Sequence, residues 1–137
     1  MSTVTAYLRV STDRQTLENQ RSEILRYASS HGMVIDHWIE EVVSGKVKEK
    51  DRKLGRYLKK MKKGDILIVS ELSRLSRTLL EIMSIVRTIL EKGVVLYSVK
   101  ENCCLGDNIN SKVILFAFGL AAEIERDLSQ QDIRSLP

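Results

Sequence analysis

The sequence predicts an α/β fold. The expected sheet is mainly parallel, with four strands or five in the order about 2-1-3-4, helices on both faces and a long C-terminal helix after it. Three observations carry this prediction. Short apolar runs alternate with stretches of helical periodicity along the 137 residues. Three of the helical stretches end in His-Gly or Lys-Gly (Gly32, Gly64, Gly93) directly before an apolar run, the way repeated βα units read. The run from Asp65 to Ser70 (DILIVS) is apolar on both faces, as a strand inside a parallel sheet must be.

The elements follow in order. Val4 to Val10 is the first strand candidate. Leu17 to His31 carries Leu17, Ile24, Leu25 and Ala28 near helical spacing. Val34 to Val43 is the second strand, and Asp36, His37, Glu40 and Glu41 suit an edge position. Arg52 to Lys63 places Leu54, Tyr57, Leu58 and Met61 on one stripe of a second helix. Asp65 to Ser70 is the third strand. Thr78-Leu-Leu-Glu81 fits a capping box and opens a helix through Leu79, Met83, Val86 and Leu90. Val94 to Val99 is the fourth strand. Residues 101 to 109 read as a polar loop, and Asn110 to about Arg134 as a long helix. The division is an α/β domain over 1–108, then a long helix and tail over 109–137.

Composition narrows the class. Hydrophobic residues make up 43% and charged residues 29%, so the chain can bury a core without staples. No apolar run approaches a membrane span, and the N-terminus lacks a signal-peptide pattern. The two cysteines, Cys103 and Cys104, are adjacent, too few and too close for a disulfide framework. They are expected as half-buried loop residues, and the expected location is a reducing cytoplasm.

Charge is concentrated. Residues 46–63 hold ten Lys/Arg against two acids, a local excess of +8 in a chain whose net charge is +4. A focused basic patch attracts polyanions. A solvated helix face with a basic loop is the plainer reading of the same charges.

Two polar clusters fall at strand ends. In Tyr7-Leu-Arg-Val-Ser11, alternation puts Tyr7, Arg9 and Ser11 on one face, with Leu8 and Val10 toward the core. An arginine within a strand is costly unless its charge is paired. Ser11 lies at the carboxyl end, where open α/β sheets bind ligands. The second cluster, Glu71-Leu-Ser-Arg-Leu-Ser-Arg77, follows the third strand. With the first and third strands adjacent, Ser11, Arg9, Arg74 and Arg77 would meet around one pocket, with Gln20 on its rim. Guanidinium forks suit phosphate oxygens. Taken singly, Ser11 reads as a turn or cap residue, and Arg74 and Arg77 as ion-pair partners of Glu71 or Glu81. Neither His31 nor His37 has a motif partner for a hydrolytic triad or a zinc site. No phosphate-binding glycine loop is present.

These residues resemble the serine site-specific recombinases, the resolvases and DNA invertases. The resemblance rests on YLRVSTDRQ, Leu17-Glu-Asn-Gln20, Ser44-Gly45, LSRLSR and AAEIERD, and it spans roughly residues 3 to 128. It implies site-specific DNA recombination. Ser11 would attack a DNA phosphodiester, form a transient 5′-phosphoserine link and release a 3′-hydroxyl for later religation. Arg9, Arg74 and Arg77 would hold the phosphate oxygens, and Gln20 would orient the phosphate or a neighbouring side chain. Arg52 matches the family's arginine in the loop after the second strand. Lys46, Lys48 and Lys50 would add DNA contacts, and Arg126 belongs to the Glu-Arg pair on the last helix. Neither metal nor cofactor is implied, small-molecule or otherwise, and no membrane. The expected partners are double-stranded DNA and a second copy. The helix stripe of Val113, Ala117, Leu120, Ile124 and Leu128 would make a homodimer, and two dimers a synaptic homotetramer.

Departures from the pattern qualify this. The family carries Asp immediately before the first Arg of R-x-x-R, where this chain has Ser73. The tail after Leu128 diverges, and no helix-turn-helix DNA-reading domain is expected within 1–137. Two other functions stand beside the enzyme: a dimeric DNA-associated module of the same fold that does not cut, and a Rossmann-like domain for a phosphorylated ligand.

Overall fold

A computed structural model describes residues 2–10, 14–42, 53–76 and 78–106, and, further on, 111, 113, 114, 117, 119–121, 123–125 and 128. The elements are β1 (Val4–Val10), α1 (Arg14–Ser30), β2 (His37–Val42), α2 (Lys53–Lys60), β3 (Ile66–Val69), a 3-10 turn (Leu72–Arg74), α3 (Leu79–Glu91), β4 (Val95–Ser98) and β5 (Cys103–Leu105). The sheet runs β2-β1-β3-β4-β5. The first four strands are parallel, and β5 is antiparallel to β4. The described residues from 111 to 128 are helical.

Both faces of the sheet are buried. On one, Ile24 and Ala28 of α1 pack on Val4, Ala6, Leu8 and Ile68. On the other, Leu54 and Leu58 of α2 and Ile82, Ile85, Val86 and Ile89 of α3 cover Tyr7, Leu67, Val69 and Leu96. This explains why β3 is apolar on every residue. Its central strand position leaves no side facing water.

The turns follow from local chemistry. Gly64 and Gly93 take φ of +93° and +78°, a region that side chains with a Cβ avoid. The Gly64 N–H donates to the Gly93 carbonyl at 2.9 Å, so the two loops before β3 and β4 brace each other. A Cβ on Gly93 would lie 2.8 Å from Cγ of Lys63. Thr78 caps α3 by accepting from the Glu81 N–H at 3.2 Å. The return half of the capping box is absent, because the Glu81 carboxylate accepts from the Ser76 hydroxyl instead.

Several expectations need correction. Residues 103–105, read as loop, form β5, with Cys104 opposite Tyr97. Cys103 and Cys104 are therefore strand residues, half-buried and exposed respectively. The α3 stripe is shifted: Ile82, Ile85, Val86 and Ile89 are buried, while Leu79, Met83 and Leu90 are only partly so. The second helix is shorter than 52–63 and stops at Lys60. Tyr7 and Arg9 share a face by strand alternation, but that face is covered as well as the one that carries Leu8. Tyr7 is fully buried on the α2–α3 side, as Leu8 is on the α1 side.

Candidate functional site

The site is built at the carboxyl ends of β1 and β3, which are neighbours in parallel register with Tyr7 beside Val69. On the β1 side, Gln20 of α1 is 3% exposed and grips the strand by its backbone. Its Oε1 accepts from the Arg9 N–H at 3.3 Å, and its Nε2 donates to the Arg9 carbonyl at 3.2 Å. The Ser70 hydroxyl at the end of β3 also donates to Oε1, at 3.5 Å. Only an amide can accept and donate at once in this way; a carboxylate has no donor for the Arg9 carbonyl. Gln20 therefore fixes the strand end two residues before Ser11 and ties it to β3. Gln20 thus meets the Arg9 main chain, where the sequence reading has it orient the phosphate or a neighbouring side chain.

On the β3 side, the 3-10 turn carries Arg74 and packs against β1. Its N-terminal residue, Leu72, donates its N–H to Glu101 Oε1 at 2.8 Å, and the same oxygen accepts from the Ser98 hydroxyl. The turn is thus fastened to the end of β4. Arg74 Nε lies 3.2 Å from Glu71 Oε1, and Lys100 Nζ lies 3.0 Å from Glu71 Oε2. Burial alone would raise the Glu71 pKa. Hydrogen bonds from Lys100 and Ser73 and the charge of Arg74 outweigh it and hold the carboxyl below its usual value.

A cleft of about 530 Å³ opens between α1 and these strand ends, lined by Asn19, Gln20, Ser70, Glu71, Arg74 and Lys100 among others. It lies where the strand order reverses between β1 and β3, the position at which open α/β sheets take ligands.

One residue of this region was not singled out from sequence. Glu41 reads there as an exposed edge acid, yet it is 7% exposed. Its Oε1 accepts from the Tyr7 hydroxyl at 3.0 Å and from the Leu54 N–H at 3.4 Å, and its Oε2 from the Lys53 N–H at 2.9 Å. A carboxylate at the first N–H groups of α2 satisfies donors that the helix cannot. Glu41 is also the register partner of Arg9, so β2 sets an acid beside the strand arginine. The sequence signal was available only in combination: a helix start at Lys53, and a tyrosine two residues before Arg9 on the adjacent strand.

Among the proposed catalytic residues, the structure brings Arg9, Gln20 and Arg74 to one end of the sheet. Ser11 and Arg77 lie outside the described residues, as do Lys46, Lys48, Lys50, Arg52 and Arg126. The stripe predicted for oligomerisation is exposed: Val113 60%, Leu120 47%, Ile124 58% and Leu128 54%, with Ala117 exposed too. The other side of the same helix faces inward. The Ser111 hydroxyl accepts from the Gly106 N–H at 2.8 Å, Ile114 packs on the core, and a Cβ on Gly119 would come 3.3 Å from Met83 Sδ.

Burial, helped by the charges of Glu101 and Cys104, pushes the Cys103 thiol up, which disfavours it as a nucleophile. Among the described residues no group of His, Cys, Asp and Glu is placed to hold a metal ion, and no helix is long and apolar enough to cross a membrane.

Comparison with known proteins gives one consistent result. The family described as "Resolvase, N terminal domain" matches residues 4–136. The Transposon Tn2501 resolvase of Escherichia coli is 35% identical over 129 residues, covering 93% of this chain and 66% of the relative. Serine recombinase PinR of Escherichia coli K12 is 35% identical over 131 residues, covering 93% of this chain and 65% of the relative. The chain thus spans just under two thirds of these relatives. Among solved structures, a resolvase family site-specific recombinase from Streptococcus pneumoniae has a TM-score of 0.72 at 22% identity, over 98% of this chain and 94% of the other. The N-terminal catalytic domain of TP901-1 integrase has a TM-score of 0.70 at 21% identity, over 93% and 98%. At such identities the structural likeness speaks for the fold.

Proposed function

Because this chain belongs to the resolvase family of serine recombinases, we propose that it cuts and rejoins double-stranded DNA through Ser11. The observation that carries the reading is the pair of strand ends. Gln20 holds β1 at Arg9 and reaches Ser70, while the fastened 3-10 turn sets Arg74 at the end of the neighbouring strand.

In the proposed step, Ser11 Oγ forms a bond to phosphorus as the bond from phosphorus to O3′ breaks. The Ser11 proton passes to a base, and O3′ leaves as a hydroxyl after taking a proton. The product is a 5′-phosphoserine link and a free 3′-hydroxyl. A 3′-hydroxyl from a second duplex reverses the step and restores Ser11, and no nucleotide hydrolysis is needed. Arg9, Arg74 and Arg77 hold the non-bridging oxygens, where charge grows in the transition state. Guanidinium stays protonated, so its charge is constant across the working pH range. The test is a nicked suicide duplex, drawn from a randomised pool, whose short strand diffuses away after cleavage. Covalent protein–DNA adduct is the expected product. The runner-up, a module that touches DNA without cutting, draws on Ser73 in place of the usual acid and predicts binding with no adduct.

The basic segment supplies sequence-independent contacts through Lys46, Lys48, Lys50 and Arg52. Binding is expected to fall steeply with salt, and these four residues contribute roughly −4 to the log–log slope if each neutralises a phosphate. Replacing Lys46, Lys48 and Lys50 by glutamine should flatten that slope by about 3. An unchanged slope in the triple variant, measured by fluorescence anisotropy, counts against the assignment. A DNA substrate and two free thiols both suit the cytoplasm.

The exposed stripe of the last helix serves a second copy, and two such dimers a synaptic tetramer. Val113, Ala117, Leu120, Ile124 and Leu128 recur at three- and four-residue intervals, so they form one apolar face. The double substitution Leu120→Lys, Ile124→Lys should give monomers in sedimentation velocity, with the fold intact by circular dichroism. A variant that sediments like the parent would remove this helix from the interface.

A further inference from the structure

We propose that Glu71 is the positioning carboxylate of this site, setting the Arg74 guanidinium for phosphate from a place three residues upstream. The proposal rests on the reading of Arg74 as a phosphate-holding residue.

The local geometry makes the pairing natural. Glu71 immediately precedes the 3-10 turn, and the Arg74 N–H donates to the Glu71 carbonyl at 3.1 Å. In a 3-10 turn side chains three residues apart lie one above the other, so an acid at 71 and a guanidinium at 74 meet without any long-range contact. The 3.2 Å contact is an ion pair at Nε, on the stem side of the guanidinium, close enough for charge attraction but not aligned as a hydrogen bond. The fork of terminal nitrogens is left as the part that can take phosphate oxygens in pairs.

The carboxylate is itself held. Lys100 binds its other oxygen at 3.0 Å, and the nearby Ser73 side chain helps to hold the carboxyl in its charged form. The backbone on either side is fixed: Glu101 holds the Leu72 N–H, and the Lys100 N–H donates to the Ser70 carbonyl at 2.8 Å. Glu71 side-chain exposure is 20% and that of Arg74 is 30%, so the pair lies at the cleft wall, with less solvent screening than an exposed pair has. One carboxylate between two cations leaves the group net positive, and still attractive to phosphate. Ser73 stands where the family pattern has an acid. Its side chain already influences the Glu71 carboxyl, so an acid introduced at 73 falls in the same electrostatic neighbourhood.

The test uses Glu71→Gln, Ser73→Asp and the double variant, with two readouts on each. One is the rate of Ser11-dependent adduct formation on the suicide duplex. The other is the Arg74 Nε–H resonance by NMR, a direct report on the ion pair that needs no activity. Glu71→Gln should slow adduct formation by roughly tenfold or more, the scale of loss known for carboxylates that orient metal-binding histidines. It should also move the Arg74 resonance toward that of a solvated arginine, while leaving the rest of the spectrum dispersed. Adding Ser73→Asp should restore both in part. An unchanged Arg74 resonance and rate in Glu71→Gln overturns the proposal, as does a double variant that recovers neither while remaining folded. If adduct forms in the parent and Glu71→Gln is silent, the recombinase reading stands and this proposal falls. If no variant forms adduct but the resonance tracks the acid, the pairing stands and the recombinase reading falls.

Discussion

Replacing Ser11 by alanine is expected to abolish the covalent protein–DNA adduct while leaving DNA affinity nearly unchanged. The variant removes a single oxygen. The guanidiniums of Arg9, Arg74 and Arg77 and the basic segment 46–63 remain, and these are the groups proposed to contact phosphate. Binding should therefore stay within about twofold of the parent, since no phosphate-neutralising charge is lost. The chemistry has no substitute. Without Oγ there is nothing to form the new bond to phosphorus, and a loss of about 10⁴-fold or more is the usual consequence of deleting a nucleophile. Thr12 is the adjacent hydroxyl, so residual adduct on Thr12 would show that the assignment is off by one residue. Unchanged adduct formation in Ser11→Ala would exclude Ser11 altogether. Loss of affinity in parallel with loss of adduct would mean that the substitution disturbs the fold, and Ser11→Cys would then separate the two effects.

The second large effect is expected at Glu41. Alanine there removes the acceptor of the Tyr7 hydroxyl and of the Lys53 and Leu54 N–H groups. Hydrogen bonds to a charged group contribute about 1.5–3 kcal/mol each and do not add fully; a lost helix cap alone costs about 0.5–2 kcal/mol. A destabilisation of about 3–4 kcal/mol is expected, a large share of an ordinary domain's stability. Glu41→Gln keeps one acceptor oxygen and should cost less, about 1–2 kcal/mol. The consequence reaches the site. Arg52 directly precedes Lys53, and consecutive Cα atoms are about 3.8 Å apart, so loosening the first turn of α2 releases the arginine expected to meet DNA. Denaturant unfolding measures the stability term, and amide exchange at Lys53 and Leu54 measures the local one. A change below about 1 kcal/mol with no faster exchange would contradict the capping role.

Much of the fold was legible because its signals are local. The glycines at the helix ends, the threonine that caps α3 and the two-sided apolarity of β3 are each visible within a few residues, and together they imply parallel βα units. The expected order 2-1-3-4 matches the first four strands of the sheet, although alternation by itself implies parallel strands and leaves their order open. What was missed depends on partners distant in sequence. β5 is three residues long, Cys-Cys-Leu, and becomes a strand only by pairing with Leu96, Tyr97 and Ser98. The stripe of α3 was misphased because the helix is apolar on more than one side. Ile82, Ile85, Val86 and Ile89 face the core, while Met83 meets Gly119 of the last helix, a contact that periodicity alone cannot assign.

The site divides in the same way. Arg9 and Arg74 were legible as strand-end arginines, since alternation and the position after a buried strand mark them. The means of holding them was not. The backbone grip of Gln20 depends on how α1 lies over β1, and an amide on a helix announces no partner. Glu41 looked like solvent-facing charge because its neighbours Asp36, His37 and Glu40 are polar. Its burial depends on α2 arriving with unsatisfied N–H groups. The pairing of Arg74 with Glu71 was open from sequence as one alternative, and the 3-10 turn decides it by stacking residues three apart.

The central claim is most directly tested by locating the covalent bond. The trapped adduct is digested with nuclease and trypsin, and the peptides are sequenced by mass spectrometry. The account predicts a nucleotide joined through its 5′-phosphate to Ser11, in the tryptic peptide over residues 10–14, with a free 3′-hydroxyl on the released strand. Attachment at another residue, linkage through a 3′-phosphate, or strand breaks with no protein attached would contradict it.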